Sequence, residues 1–238
     1  MTKLTTIGLD ADDTLWHNEK HFHFTQGMFA DLLKDHAPPA QIAERLLSAE
    51  KKNLAFYGFG IKGFTLSMIE TAIEVTDGKV SSSTLKTILD AGRDMLHHPV
   101  ELLPHVADTL EALAANYKLV LITKGDLFDQ ERKVAASGLG DFFAGIEIVS
   151  DKQPATYDRI FRQLGSGPET SLMAGNSLKS DVIPALHAGA FGVHVPHEFA
   201  WAHEHAEPPD HPRFKTIEHL GLLPDLIQSL AAGDHNPH

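Results

Sequence analysis

From residue 99 onward the chain repeats one unit: a short apolar run, a polar cluster, then a stretch with apolar residues at helical spacing. Lys118–Ile122 (KLVLI) runs into Thr123-Lys124-Gly125-Asp126, and a helical stretch to about Ser137 is stopped by Gly138. Gly145–Val149 runs into Ser150-Asp151-Lys152, after which Pro154 opens a helix at a position where its missing N–H is harmless. Ser171–Ala174 runs into Gly175-Asn176-Ser177-Leu178-Lys179-Ser180-Asp181, followed by a helix to about Ala188 and a strand Phe191–Val195. Strands that are apolar throughout and alternate with helices need both faces covered, which implies a parallel sheet with helices on either side. Such a sheet gathers its strand-end clusters along one edge, where open α/β folds place ligands.

The N-terminal stretch joins this scheme. Leu4–Leu9 reads as a strand and leads into Asp10-Ala11-Asp12-Asp13-Thr14-Leu15-Trp16. Two carboxylates two residues apart on a tight turn, with a small hydroxyl nearby, offer a nucleophile, a proton carrier and a seat for a hard cation. Asp-rich turns also arise simply because Asp accepts bonds from neighbouring backbone N–H groups. An EF-hand loop is excluded, since it requires Gly at its sixth position and Glu at its twelfth, where this chain has Leu15 and His21.

Bulk properties narrow the function classes. The 238 residues are 42% hydrophobic, enough for one large domain or a domain with a smaller insertion. A net charge of −12 repels nucleic-acid backbones and anionic membranes, so neither is expected as a partner. The absence of Cys removes disulfides and thiolate chemistry. There is no apolar run long enough for a membrane span and no signal-peptide core at the start, so a cytoplasmic protein is expected.

Between Trp16 and residue 99 the periodicity is helical. Phe22–Leu33, Ala40–Phe56, Phe64–Thr76 and Ser83–Leu96 are expected helices, with Pro38-Pro39 as a break and Ser81–Ser83 as capping residues. The expected organisation is therefore a Rossmann-like catalytic core, residues 1–16 and 99–238, with an all-helical cap, residues 17–98. Gly58-Phe59-Gly60-Ile61-Lys62-Gly63 spells a dinucleotide fingerprint, but a helix rather than a strand precedes it, so a glycine-rich loop between cap helices is expected. Lys62 reads there as a solvated side chain. The His- and Pro-rich tail from Pro196 to Arg213, with His197, His203, His205 and His211, matches no structural zinc spacing and reads as a polar surface loop. Leu220–Ala232 should form a closing helix, and Gly233–His238 should fray.

Four polar clusters at strand ends, in this order and with a helical insertion after the first, resemble the haloacid dehalogenase superfamily over essentially the whole chain. The resemblance equates Asp10–Leu15 with motif one, Thr123 with motif two, Lys152 with motif three and Gly175–Asp181 with motif four, and makes the insertion a cap of the first type. It implies Asp10 as nucleophile and Asp12 as general acid and base. Thr123, with Lys124 and Gly125 beside it, and Lys152 would hold the phosphoryl oxygens, and Mg2+ would be held by Asp10, Asp12, Asn176 and Asp181.

The superfamily's metal-free dehalogenases lack an acid two residues after the nucleophile, whereas an alkoxide leaving group needs a proton donor there. Asp12 thus favours a magnesium-dependent phosphomonoesterase acting on a small soluble phosphate ester through an aspartyl-phosphate. A 2-haloacid dehalogenase and a phosphomutase are the alternatives on the same fold, and a non-enzymatic binding protein is the alternative outside it. Many relatives carry Gly-Asp where this chain has Gly175-Asn176, which implies a weaker metal site.

Overall fold

The structure is a computed structural model that describes residues 3–199, 201 and 204–232. The described chain forms two compact units. One takes the chain up to His17, Val100–Lys124 and everything from Lys133 onward; the other takes Asn18–Pro99 and Gly125–Arg132.

The first unit is built on six parallel strands: β1 (Thr6–Leu9), β2 (Lys118–Lys124), β3 (Gly145–Val149), β4 (Ser171–Gly175), β5 (Phe191–His194) and β6 (Phe214–Thr216). Their order in the sheet is β3-β2-β1-β4-β5-β6. β1 is central, with Leu9 beside Leu121 on one side and Ala174 on the other. The chain reverses its direction of winding at β1, and the crevice beyond the carboxyl ends of β1 and its neighbours is where such a sheet leaves room for a ligand.

Alternating residues feed two apolar layers. Ile7, Leu9, Leu119, Leu121, Leu172, Ala174 and Val193 pack in one cluster with residues of α5 (Val106–Ala114) and α9 (Leu223–Ala232). Val120, Ile122 and Met173 face the other way, against Tyr157, Ile160 and Phe161 of α7 (Pro154–Leu164). Gly8 lies on that second face because a Cβ there would meet Met173, Phe161 and Ile122 at 3.0–3.2 Å.

The predicted strands and their order along the chain agree with the structure, and β6 is added. It is three residues long, sits at the sheet edge and directly follows the Pro-rich tail, too short for period-two patterning to register. α6 (Leu127–Ser137) ends at Gly138, whose φ of 69° suits glycine.

Motif four brings a second departure from the expected simple helix. Leu178–Val182 forms a π-helical turn, with Val182 N–H donating to Ser177 O, before α8 (Ile183–His187) begins. Such turns widen the helix by one residue and recur at functional sites.

The second unit contains α1 (Glu19–Leu32), α2 (Pro39–Tyr57), α3 (Ile61–Val75) and α4 (Ser82–His97) around Phe29, Leu33, Ile42, Leu46, Phe64, Met68 and Ile88. Pro39 stands at the start of α2, and the Ser81 hydroxyl caps α4 by accepting from Thr84 N–H at 3.0 Å. The glycine-rich hexapeptide joins α2 to α3, with Gly58 at φ 69° and Gly60 at φ 109°. Lys62 is more engaged than expected: it pairs with Asp126 at 2.9 Å and lies over the Phe128 ring. No helix among the described residues is long and apolar enough to cross a membrane. His203 and Gly233–His238 lie outside the described residues.

Candidate active site

The β1 strand delivers Asp10 to the sheet edge, and its ladder continues one step, with Asp10 N–H donating to Ala174 O at 3.0 Å. The chain then turns sharply. Leu15 N–H reaches Ala11 O at 2.8 Å, Asp13 N–H reaches Trp16 O at 2.7 Å, and Asp13 takes a φ of 60° that its short polar side chain tolerates. Thr14 is folded back, so its hydroxyl donates to Asp10 Oδ2 at 3.2 Å and accepts from Asn176 N–H at 3.1 Å. That hydroxyl ties motif one to motif four.

The opposite oxygen of Asp10 meets Lys152. Its ammonium donates to Asp10 Oδ1 at 2.5 Å and to Asp181 Oδ1 at 2.6 Å, and all three side chains are buried. Asp181 is further held by Ser177 N–H, which donates to its Oδ2 at 2.9 Å. Gly175 is obligatory, because a Cβ there would stand 2.3 Å from Asp181 Oδ2.

One buried cation thus serves two buried carboxylates. Burial, then the charge of Asp181, pushes the Asp10 carboxyl up from 3.8 to about 7, even though Lys152 pulls it down. Burial works against the Lys152 ammonium, but Asp10 and Asp181 together hold it well above its ordinary value.

Asp12 is oriented by different groups. Its Oδ1 accepts from Trp16 Nε1 at 2.7 Å and from Lys133 Nζ at 2.6 Å. Trp16 is buried and Lys133 nearly so. Its Oδ1 therefore already receives two donors, while its charge adds to the rise of the Asp10 carboxyl.

Thr123 lies one residue before the end of β2 and is buried. Lys124, an expected phosphate ligand, is engaged here by other side chains. Its ammonium donates to Ser180 Oγ at 2.7 Å and pairs with Glu204, whose other oxygen accepts from Ser177 Oγ at 2.6 Å and from Ser180 Oγ. Burial alone would raise the Glu204 carboxyl, but Lys124 and the two hydroxyls bring it down to about 2. Gly125 clusters with the helical unit, within which a Cβ on it would press on Gln130.

Sequence reasoning overlooked Glu204, Lys133 and Trp16. Glu204 sat unremarked in a tail read as polar surface loop, and nothing in its neighbours marks it. Tyr157 adds a bond from α7 to the π-turn, its hydroxyl donating to Ser180 O at 2.9 Å.

The donor set suits a hard divalent ion. Asp10 and Asp181 supply carboxylate oxygens around a single shared lysine, and after burial it is the neighbouring Asp181 charge that lifts the Asp10 carboxyl. Asn176 joins them through its backbone, its N–H donating to Thr14 Oγ1 and its O contacting His194 Nε2. No cluster of three or more His, Cys, Asp or Glu suited to a metal is found among the described residues.

A profile of haloacid dehalogenase-like hydrolases matches residues 4–189. The chain belongs to that hydrolase family. A haloacid dehalogenase-like family hydrolase from Xanthomonas campestris superposes with a TM-score of 0.87 at 39% identity, covering 97% of this chain and 93% of that one. A 2-haloacid dehalogenase from Pseudomonas syringae pv. Tomato shares the fold, with a TM-score of 0.63 at 21% identity, covering 95% and 99% of the two chains. Among characterised sequences, the glyceraldehyde 3-phosphate phosphatase of Methanothermobacter thermautotrophicus is 24% identical over 217 residues, 86% of this chain and 91% of its own length.

Proposed function

We propose that the protein is a magnesium-dependent phosphomonoesterase acting on a small soluble phosphate ester. The observation that carries this reading is Asp12, a carboxylate two residues past the buried Asp10 and held by its own pair of donors. An acid placed there serves a leaving group that departs as an alkoxide; halide displacement needs none. The similarity to a glyceraldehyde 3-phosphate phosphatase over most of both chains supports the same reaction class.

Asp10 attacks phosphorus in line through a carboxylate oxygen, the P–O bond to the alcohol breaks, and Asp12 delivers a proton to the departing oxygen. Water then attacks the aspartyl-phosphate, Asp12 takes the water's proton, and the Asp10 carboxylate is regenerated. Thr14 holds the nucleophile's second oxygen and so fixes its direction of attack. Lys152, free to shift its bonds from Asp10 once that oxygen is phosphorylated, offsets charge on the phosphoryl group together with Thr123. Asp10, Asp181 and Asn176 would hold the magnesium ion, which supplies positive charge where two anions must meet. The helical unit, residues 18–99 in the main, is proposed to select the substrate.

The test is phosphate release from a panel of small phosphomonoesters, with magnesium and with chelator, on wild type and Asp10→Asn. Metal-dependent turnover abolished by the substitution is expected. No phosphate from any ester, with chloride released from a 2-haloacid, would replace this reading with dehalogenation.

A further inference from the structure

We infer that Lys133 and Trp16 are positioning residues that aim the acid–base carboxylate Asp12, by together occupying its Oδ1 so that the exchanged proton travels on Oδ2. This rests on the phosphatase reading and adds to it two residues outside the four motifs.

The geometry is specific. Trp16 Nε1 and Lys133 Nζ approach the same oxygen at 2.7 and 2.6 Å. Their origins are independent: Trp16 lies on the turn of Asp12 itself, Lys133 on α6, 121 positions along the chain. Neither donor is free to wander. Trp16 is 1% exposed and its backbone is pinned by bridges to Asp12 and Leu102. Lys133 is 8% exposed, on a helix that continues into the core through Val134.

A carboxylate bonded through one oxygen to two fixed donors has lost its rotation about the side chain. A proton on Asp12 is then confined to Oδ2, because Oδ1 has its lone pairs directed at the two donors. An acid that must meet a leaving oxygen in one step and a water in the next gains from a fixed direction, since small misplacements at a reacting centre are costly in rate.

In the first half-reaction the Asp10 Oδ–P bond forms, the P–O bond to the alcohol breaks, and the proton on Asp12 Oδ2 passes to the alcohol oxygen. In the second the water O–P bond forms, the Asp10 Oδ–P bond breaks, and a water proton passes to Asp12 Oδ2. A p-nitrophenolate leaves without a proton, whereas an alkoxide does not. Loss of aim therefore slows the first half-reaction only for alkyl esters and the second for every ester.

The experiment is rapid-mixing kinetics of full-length wild type, Lys133→Met and Lys133→Arg, with phosphate-labelled p-nitrophenyl phosphate and with the best alkyl ester of the panel. Covalently bound label is read after acid quench. With Lys133→Met, the first turnover of the aryl ester should stay within about threefold of wild type. It should then stall with label trapped on the protein, while alkyl turnover falls by roughly 10²-fold at little-changed KM. Arg should recover part of the loss. If Lys133→Met does not fold, Trp16→Phe removes the other donor and should show the same split.

Equal slowing of the first turnover of both esters, or no slowing at all, overturns the inference and leaves the phosphatase reading intact. Wild type that releases no phosphate and traps no label overturns the reading, and the inference falls with it.

Discussion

Asp10→Asn should stabilise the protein, and more so the higher the pH. Its carboxyl is lifted from 3.8 to about 7 in the folded state, chiefly by burial and then by Asp181. Between those values the unfolded chain has lost the proton and the folded chain keeps it, so the folded state binds more protons and stability falls as pH rises. The loss begins near the unfolded value and is complete above the folded one. A displacement of about three pK units corresponds to roughly 4 kcal/mol at and above neutrality, as an order of magnitude.

Asn resembles the protonated acid in shape and charge and does not titrate. The variant should therefore match wild type at about pH 4 and exceed it by a few kcal/mol at about pH 8. The assay is urea unfolding in chelator across this range, with linear extrapolation of both chains. A stability difference that stays flat with pH, or that favours wild type at about pH 8, refutes the electrostatic account of the Asp10–Lys152–Asp181 group. Stability gained by removing the Asp10 charge is the expected signature of a site held against its own stability.

Glu204→Gln should cost roughly 3 kcal/mol at neutral pH by leaving the buried Lys124 ammonium without its carboxylate. Because the folded carboxyl lies at about 2, below its ordinary 4.5, that deficit should shrink as pH falls from 4.5 toward 2, which a denaturant series would show. Gly175→Ala should destabilise by roughly 2–4 kcal/mol, since the new methyl drives Asp181 off Lys152 and Ser177; a thermal midpoint near wild type would mean that the turn yields more easily than its bonds suggest. Asn176→Asp should tighten magnesium binding, read as a larger magnesium-induced rise in the unfolding midpoint, and an unchanged rise would remove Asn176 from the metal site.

The positions of Asp10, Thr123, Lys152 and the Gly175–Asp181 turn were legible because each stands within a few residues of a strand end, and strand ends show in apolar patterning. Leu4–Leu9 points to Asp10, and Ser171–Ala174 points to Gly175–Asp181. Alternation of strand and helix likewise determined a parallel sheet, because only that arrangement covers fully apolar strands on both faces.

Pairings between distant side chains were decided by tertiary structure alone. Lys124 adjoins Thr123, and proximity in sequence made it an expected phosphate ligand; that Glu204, eighty positions away, reaches the same ammonium is decided by the fold. Lys133 is one of several charges along α6, and nothing local marks it as the residue that meets Asp12. The elevated Asp10 carboxyl follows from burial and from Asp181, which lies 171 positions further along the chain. Backbone periodicity is a property of neighbours and can be read from them. A charge's partner and its dielectric surroundings are set by whatever the completed fold carries to that point.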